Sequence, residues 1–283
     1  MNHDDVLDEV LAAEEEADRA EDEPRVDEPP GDEPAGISEE EADPDARRGL
    51  DVPDEALLAP PEGMKAPFSE VREILGVPLF YERTANPGPR RFPVAPGFVP
   101  ILRRTVKQIR ERAPAGFGEL GRIVSAGMFV DKPGMHGRGL ACDWDRVVFD
   151  NVEIAPIQRD HASSSLATRQ RYWALGALLR SNACFVLHGK HDADHADHFH
   201  QDHAVGVAFN RQHSTVSLTQ AVLNDIWGAS PRLAVDGDFG EKTAGALAKV
   251  FQRIGLPNDV DDVRVWQRFL RRSGRLGFRL SVG

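Results

Sequence analysis

Beyond about residue 65 the hydrophobic positions fall into helical and strand periods. In "FVPILRRTVKQIRERA" (98–113), Ile101, Leu102, Val106 and Ile109 recur at helical spacing among basic residues, which predicts an amphipathic helix. "RIVSAGMFV" (122–130) and "ACDWDRVVFD" (141–150) are rich in β-formers and predict strands, with "NVEI" continuing the extended region. "SSLATRQRYWALGALLRSNA" (164–183) opens on serines and carries Leu166, Tyr172, Trp173, Leu175, Leu178 and Leu179, the pattern of a second long helix. "CFVLHG" (184–189) predicts a short strand, and "HFHQDHAVGVAF" contains another. Helix, strands, helix, strands is the order of an α+β domain with a mostly antiparallel sheet. After "NRQHST" the pattern changes to three helices, in "SLTQAVLNDIWG", "EKTAGALAKVFQRIG" and "VDDVRVWQRFLRRSG", the first two separated by the Gly/Asp turn "RLAVDGDFG". This reading divides the chain into an N-terminal segment, 1–64, an α+β domain, 65–213, and a small all-α module, 214–283.

The N-terminal segment changes the picture of charge. Residues 1–62 hold 24 Asp or Glu against four Arg and no Lys, with eight prolines, so a net charge of −12 for the whole chain conceals a mildly basic body. Such a composition cannot bury enough apolar surface to offset chain entropy, and predicts a largely disordered segment. Within it, Val6, Leu7, Val10 and Leu11 lie roughly on one helical face, consistent with a transient helix. The segment is read as a solubilising tail or as one that docks on a partner. No stretch approaches the roughly 18 apolar residues of a membrane span, and the acidic start is the opposite of a secretory signal. Two cysteines, Cys142 and Cys184, exclude a Cys-rich zinc site and a disulfide scaffold.

The candidate chemistry lies in two places. "MHGRGLACDWD" sets His136 and Asp143 seven apart, with Gly137 and Gly139 permitting an irregular backbone before a strand. "HGKHDADHADHFHQDH" (188–203) holds six of the ten histidines, and ends in His198 and His200, two apart and so on one face of a strand. Imidazole and carboxylate both ligate zinc, and a catalytic zinc takes three protein ligands and keeps one position open. His136, Asp143 and one member of the His198/His200 pair would supply that set. For His188, His191, His195 and His203 the expectation is a solvated loop or hydrogen bonds to ligating residues, with His195 the strongest exception. His161 is expected at the surface, and Asp145 and Asp202 are candidates to orient imidazoles or to be plain solvated groups.

H-x6-D followed by a distant H-x-H resembles the LAS group of zinc metallopeptidases, which includes lysostaphin-type and D-Ala-D-Ala peptidases. Within it, "HGRGLACDW" and "LLRSNACFVLHGKHDADHADHFHQD" resemble two blocks of the bacterial extensin-like C-terminal family, over about residues 98 to 205. That resemblance implies one Zn2+ held by His136, Asp143 and His200, with His198 catalytic and Asp197 the alternative general base. Arg138, in "HGRG", would hold a substrate carboxylate or be a surface arginine. "SAGMFVDKPG" lacks the Cys-Arg element common upstream in the family. The C-terminal residues Leu218, Leu223, Asn224, Leu233, Val235, Asp236, Gly237, Phe239, Gly240, Thr243, Leu247, Phe251 and Gln252 resemble the peptidoglycan-binding module "LxxxLN…LxVDGxFGxxTxxAlxxFQ". Trp227 and Trp266 are expected in its core rather than stacked on glycan.

Together these imply a zinc-dependent peptidoglycan hydrolase that cleaves an amide bond in the stem peptide or cross-link, as endopeptidase or carboxypeptidase, with D,D-type favoured. The expected delivery is that of an antibacterial effector made in the cytoplasm without a signal peptide and acting in the periplasm or cell wall. Its acidic segment would meet a secretion apparatus or an immunity protein. Neither nucleic acid nor a transmembrane segment is expected. A phage-type endolysin of the same chemistry, released by lysis, and a non-catalytic wall- or zinc-binding protein are the alternatives. A metal-sequestering His/Asp tract is a further one, but it leaves "HGRGLACD" unexplained.

Overall fold

The computed structural model describes residues 6–14, 68–203 and 206–282. Residues 6–14 form a helix, α1. The strands β1 (Ser69–Val71), β2 (Glu73–Ile74), β3 (Val77–Tyr81), β4 (Gly88–Pro89) and β5 (Phe92–Val94) precede the helix α2 (Val99–Arg112). Then come β6 (Leu120–Gly127), β7 (Ala141–Phe149), β8 (Glu153–Ile154), α3 (Leu166–Arg180), β9 (Phe185–Leu187) and β10 (Phe199–Asp202). Three helices end the chain: α4 (His213–Asp225), α5 (Glu241–Arg253) and α6 (Val263–Leu280). The main sheet runs β2-β3-β6-β7-β10-β9, with β4 on β3 and β8 on β7, and β1 pairs β5 separately. Only β3 and β6 are parallel among these pairings, so the sheet is mixed but mostly antiparallel, and the α+β class follows. Among the described residues no helix is long and apolar enough to cross a membrane.

The periodicities that predict α2, β6, β7, α3, β9 and β10 correspond to elements within a few residues of their predicted ends. The strands before α2 carry no such signal. They are two to five residues long, and Pro78, Pro89 and Pro93 interrupt them, which confines such strands to edges and short pairings.

Helix α3 organises the packing. It is buried nearly along its whole length and contacts β8, β9 and β10 on the sheet side and α4 and α6 on the other. A helix apolar all round needs neighbours all round. Its N-terminus is capped by Ser165, whose hydroxyl accepts from the Thr168 N–H at 3.3 Å, satisfying one orphan donor of the first turn. One hydrophobic core runs from the sheet through α3 to Trp266, Phe269, Phe251 and Leu247 of the last helices. The sequence boundary at 213/214 therefore marks a change of secondary structure and not a gap in packing. Trp227 and Trp266 are core residues: Trp227 donates its Nε1–H to Ser273 Oγ at 2.9 Å, and Trp266 stacks on Phe269. The "VDGDFG" turn is held by Gln220, which accepts from the N–H groups of Asp236 and Gly237 and donates to Asp236 Oδ1 and Thr243 Oγ1.

Helix α1 departs from the disorder expected of 1–64. Val6, Leu7 and Val10 are buried in the main core, and Glu14 is fully buried against Arg112 of α2 and Arg275 of α6. Three apolar side chains at about 1.5–3 kcal/mol each are enough to hold one short helix, and a window average over acidic neighbours conceals them. The remainder of the segment expected to be disordered, residues 1–5 and 15–64, lies outside the described residues.

The tight contact between α3 and α6 yields a test of the shared core. A Cβ added at Gly277 would lie 2.8 Å from Ala174 Cβ and 3.0 Å from the Gln170 carbonyl oxygen, both rigid. Gly277→Ala should cost about 1–3 kcal/mol by overpacking and should lower a single unfolding transition in calorimetry. Separate melting of the last three helices, with the sheet's transition unchanged, would contradict the shared core.

Candidate metal centre

The two sequence blocks meet on adjacent strands. β10 pairs antiparallel with β7, and the register sets His200 directly opposite Asp143, the geometry in which cross-strand side chains approach most closely. Successive β10 residues alternate faces. Gln201 points to the helical layer, accepting from Trp144 Nε1 at 3.0 Å and donating to Thr105 Oγ1 and the Leu179 carbonyl. That anchor fixes the strand so that His200 faces the site. On the other side of β7 the β6 register shifts around Ser125, and Gly127 comes opposite Asp143. A bulge there re-aims the strand end beside a site.

His136 arrives from the single 3-10 turn His136–Arg138. The glycines of "HGRG" have a steric reason. A Cβ at Gly137 would lie 1.8 Å from the Lys132 carbonyl oxygen, and Gly139 ends the turn at φ 68°, packed against Phe68 and Ala95. Only glycine takes such positions without strain.

His136 Nε2, Asp143 Oδ1 and His200 Nδ1 form a nearly equilateral triangle with all three separations 3.1 Å. The two imidazoles are buried and the carboxylate half-buried. Second partners settle the protons. His136 Nδ1 lies 2.9 Å from the Met128 carbonyl oxygen, which can only accept, so that nitrogen carries the proton. His200 Nε2 lies 3.4 Å from Asp202 Oδ2, near enough for that carboxylate to favour a proton on Nε2, although the two atoms do not form a hydrogen bond. In the neutral rings, then, Nε2 of His136 and Nδ1 of His200 both present lone pairs to a carboxylate oxygen. Three converging lone pairs repel unless a cation sits among them. Tetrahedral coordination at about 2.0–2.2 Å places ligand atoms about 3.3–3.6 Å apart, close to the spacing here. The trio could hold a metal ion. Without a metal ion, protons on the imidazoles would play the cation's part: burial pushes the Asp143 carboxyl up, but charge and a hydrogen bond from His136 and a hydrogen bond from His200 then hold it well below the carboxylate range.

His198 stands beside the triangle, its Nε2 3.8 Å from Asp143 Oδ1. It lies one residue before β10 rather than within it. Its Nδ1 is 2.9 Å from Asp197 Oδ1, and Asp197 Oδ2 accepts from Arg83 Nη1 at 3.0 Å. Arg83 also grips the buried Asp145 with two hydrogen bonds of 2.8 Å. Burial raises the Asp197 carboxyl, yet the bonds from His198 and Arg83 prevail and leave it lowered. Asp145 is lifted above its ordinary value by burial, with Arg83 opposing, while Asp145 in turn raises the Arg83 pKa.

Arg83 was not legible from the sequence: it sits in "YERTANPGP", 62 residues before Asp145 and 114 before Asp197, in a stretch with no motif. Arg138, the arginine that the motif singles out, is exposed on the His136 turn, and among the described residues its side chain makes no hydrogen bond or ion pair. Asp202 lies beside the His200 imidazole, whereas Asp145 pairs with Arg83.

Several histidines depart from the solvated expectation. His188 is fully buried against the Ser214 carbonyl oxygen, and burial pushes its pKa down to about 3. His195 is buried, bonded to Asp192 Oδ1 at 2.7 Å, with its ring 5.0 Å from that of His198. His161, expected at the surface, is buried beside Gly189 and Tyr172, its pKa pushed down to about 4. His191 and His203 are half-buried. Cys142 and Cys184 are both buried and are not joined in a disulfide.

Comparisons of the chain with family models, with curated proteins and with solved structures return no match.

The converging lone pairs predict one metal ion per chain. Titration with Co2+ should saturate at one equivalent with the visible absorption of a four- or five-coordinate ion, and Zn2+ should bleach it. His200→Ala should abolish that absorption while the far-ultraviolet circular dichroism stays unchanged. Full absorption in the folded variant would remove His200 from the ligand set.

Proposed function

We propose that the protein is a zinc-dependent peptidoglycan hydrolase that cleaves an amide bond in the stem peptide or cross-link, with D,D-type bonds favoured. The observation that carries the reading is the juxtaposition of the His136, Asp143 and His200 triangle with an oriented histidine, His198, at its open edge. The resemblance of "HGRGLACDW" and "HADHFHQD" to the extensin-like zinc peptidases supports the chemistry. The resemblance of the last 70 residues to a peptidoglycan-binding module supports the substrate.

A zinc ion held by the triangle supplies Lewis acidity, which polarises a carbonyl and acidifies water. The remaining tasks belong to the chain. Asp197 accepts the Nδ1 proton of His198, which leaves the Nε2 lone pair directed at the triangle. That Nε2 takes the proton from the attacking water as its oxygen bonds to the carbonyl carbon. It returns a proton to the departing amine as the C–N bond breaks, so the histidine ends as it began. Asp197 stabilises the intervening imidazolium and has both oxygens engaged, by His198 and Arg83. It therefore orients the base rather than acting as one. Arg83 locks this pair to the buried Asp145, and its charge is spent on those two carboxylates, so it positions His198 through Asp197.

Outside the first 62 residues the chain has 30 basic and 22 acidic groups, a balance suited to the carboxylates of stem peptides. A groove of about 890 Å³ between α4, the "VDGDFG" turn and α5 is lined by Arg232, Lys242, Lys249 and Arg253 together with Asp236 and Asp238. Its lining sets these charges among apolar surface from Trp227, Pro231, Leu233 and Val250, on which the wall could seat. The strongly acidic N-terminal segment supports the reading as an antibacterial effector that meets a delivery apparatus or an immunity protein.

Digestion of purified peptidoglycan, followed by mass spectrometry of the fragments, tests the reading. Fragments with new amine and carboxyl ends should appear, vanish with a chelator and return with Zn2+. His198→Ala should slow their release by about 10²–10⁴-fold, the usual contribution of a general base. Undiminished release in chelator, or in His198→Ala, would overturn the mechanism.

A further inference from the structure

The histidine-rich run is tied to the start of α4 as well as to the metal centre. His188, the residue after β9, is fully buried. Its Nδ1 accepts from the Lys190 N–H at 3.1 Å, so Nε2 carries the proton and donates to the Ser214 carbonyl oxygen at 3.1 Å. The His191 N–H donates to the His188 carbonyl oxygen at 2.7 Å and closes one turn. That turn brings His191 to His213, the residue before Ser214. Their Nδ1 atoms lie 3.3 Å apart, where one ring's N–H donates to the other's lone pair. Two consecutive residues of α4 therefore hold both ends of the turn.

His213 is braced on its other edge. A Cβ added at Gly237 would lie 2.1 Å from His213 Cδ2 and 2.7 Å from Nε2, so that edge of the ring rests on the backbone of the "VDGDFG" turn. Gln220 of α4 holds the same turn. The Nδ1 edge is thereby left facing His191. From His191 the contacts lead on to His198. Asp192 Oδ2 lies 3.4 Å from His191 Nε2, and Asp192 Oδ1 accepts from the His195 N–H at 2.8 Å and meets His195 Nδ1 at 2.7 Å. The His195 ring is buried, 5.0 Å from that of His198 and 5.9 Å from that of His200. His198 is thus confined from two sides, by Arg83 through Asp197 and by His195.

We propose that His213 is a positioning residue for the metal centre: through its hydrogen bond to His191 it fixes the loop 188–198 against α4, and so sets His198 beside the triangle. The last three helices are then part of the scaffold of the site and not only a seat for the wall. A misplacement of about 1 Å in a reacting group costs up to about 100-fold in rate, so an anchor that touches neither metal nor substrate controls the step. The role of His198 as base rests on the hydrolase reading; the anchoring of the loop does not.

The test compares the full chain with its His213→Ala and His213→Asn variants. His213 is exposed, so neither change opens the core, and asparagine places an amide near the position of Nδ1. Hydrogen exchange read by mass spectrometry over residues 189–198 reports the anchoring without any enzymatic activity. In His213→Ala these amides should exchange about three- to tenfold faster, the effect of losing one hydrogen bond. Exchange in α3 and β7 and the Co2+ absorption of the triangle should stay unchanged, and His213→Asn should restore slow exchange. On a soluble cross-linked muropeptide, His213→Ala should lower kcat about tenfold without a matching change in KM, and His213→Asn should recover most of it. Unchanged exchange in His213→Ala, equal exchange in the two variants, or a general rise through α3 and β7 would overturn the anchoring. Faster exchange in the loop with an unchanged kcat would overturn the positioning of His198. If the native chain cleaves no wall substrate, the hydrolase reading fails by itself, and the exchange result still decides the anchoring.

Discussion

Three lone pairs aimed at one point are the constraint around which the rest of the molecule is arranged. His136 Nε2, Asp143 Oδ1 and His200 Nδ1 lie 3.1 Å from one another in a largely buried setting, where uncompensated electron density is most costly. The surroundings keep them there. The Met128 carbonyl sets the ring proton of His136 on its far nitrogen, and the Asp202 carboxylate lies behind His200, the placing of groups behind metal-ligating imidazoles. The β7–β10 register, pinned by Gln201 from behind, presents His200 to Asp143. The crowded turn that only Gly137 permits delivers His136. A cation held among them would restore the stability given up there.

Around this centre the polar groups form a hierarchy rather than a diffuse cluster of histidines. Asp145 is buried and holds Arg83; Arg83 holds Asp197; Asp197 holds His198, which faces the triangle. Each group fixes the rotamer or tautomer of the next, so the last atom, His198 Nε2, arrives with its lone pair directed at the site. His195 packs against His198, and His188 sits neutral in the core. The same run of sequence therefore supplies one corner of the triangle, a histidine held by Asp197 and packing residues, set apart by their burial and partners.

How far the sequence discloses this depends on what kind of information each feature carries. His136, Asp143 and His200 are legible because few residue types ligate metals and their spacing on strands is restrictive. The long elements α2, β7 and α3 are legible because their periods run over many residues. Arg83 is not, since its role exists only through neighbours brought from 62 and 114 residues away. Helix α1 is hidden for another reason: Val6, Leu7 and Val10 are diluted by acidic neighbours in any composition average, although the face they share is visible once sought. The apparent boundary at 213/214 shows a third limit. A buried helical face reveals that a partner exists and not which one, and here α3 buries itself against both the sheet and the last helices.

The central claim is that the triangle of His136, Asp143 and His200 binds the catalytic metal, and anomalous diffraction from crystals of the zinc-loaded protein tests it most directly. Data collected on either side of the zinc absorption edge should give one strong peak, within about 2.0–2.2 Å of His136 Nε2, Asp143 Oδ1 and His200 Nδ1, with His198 close by and not coordinated. A peak elsewhere in the histidine-rich segment, or several weak peaks spread along it, would contradict the account.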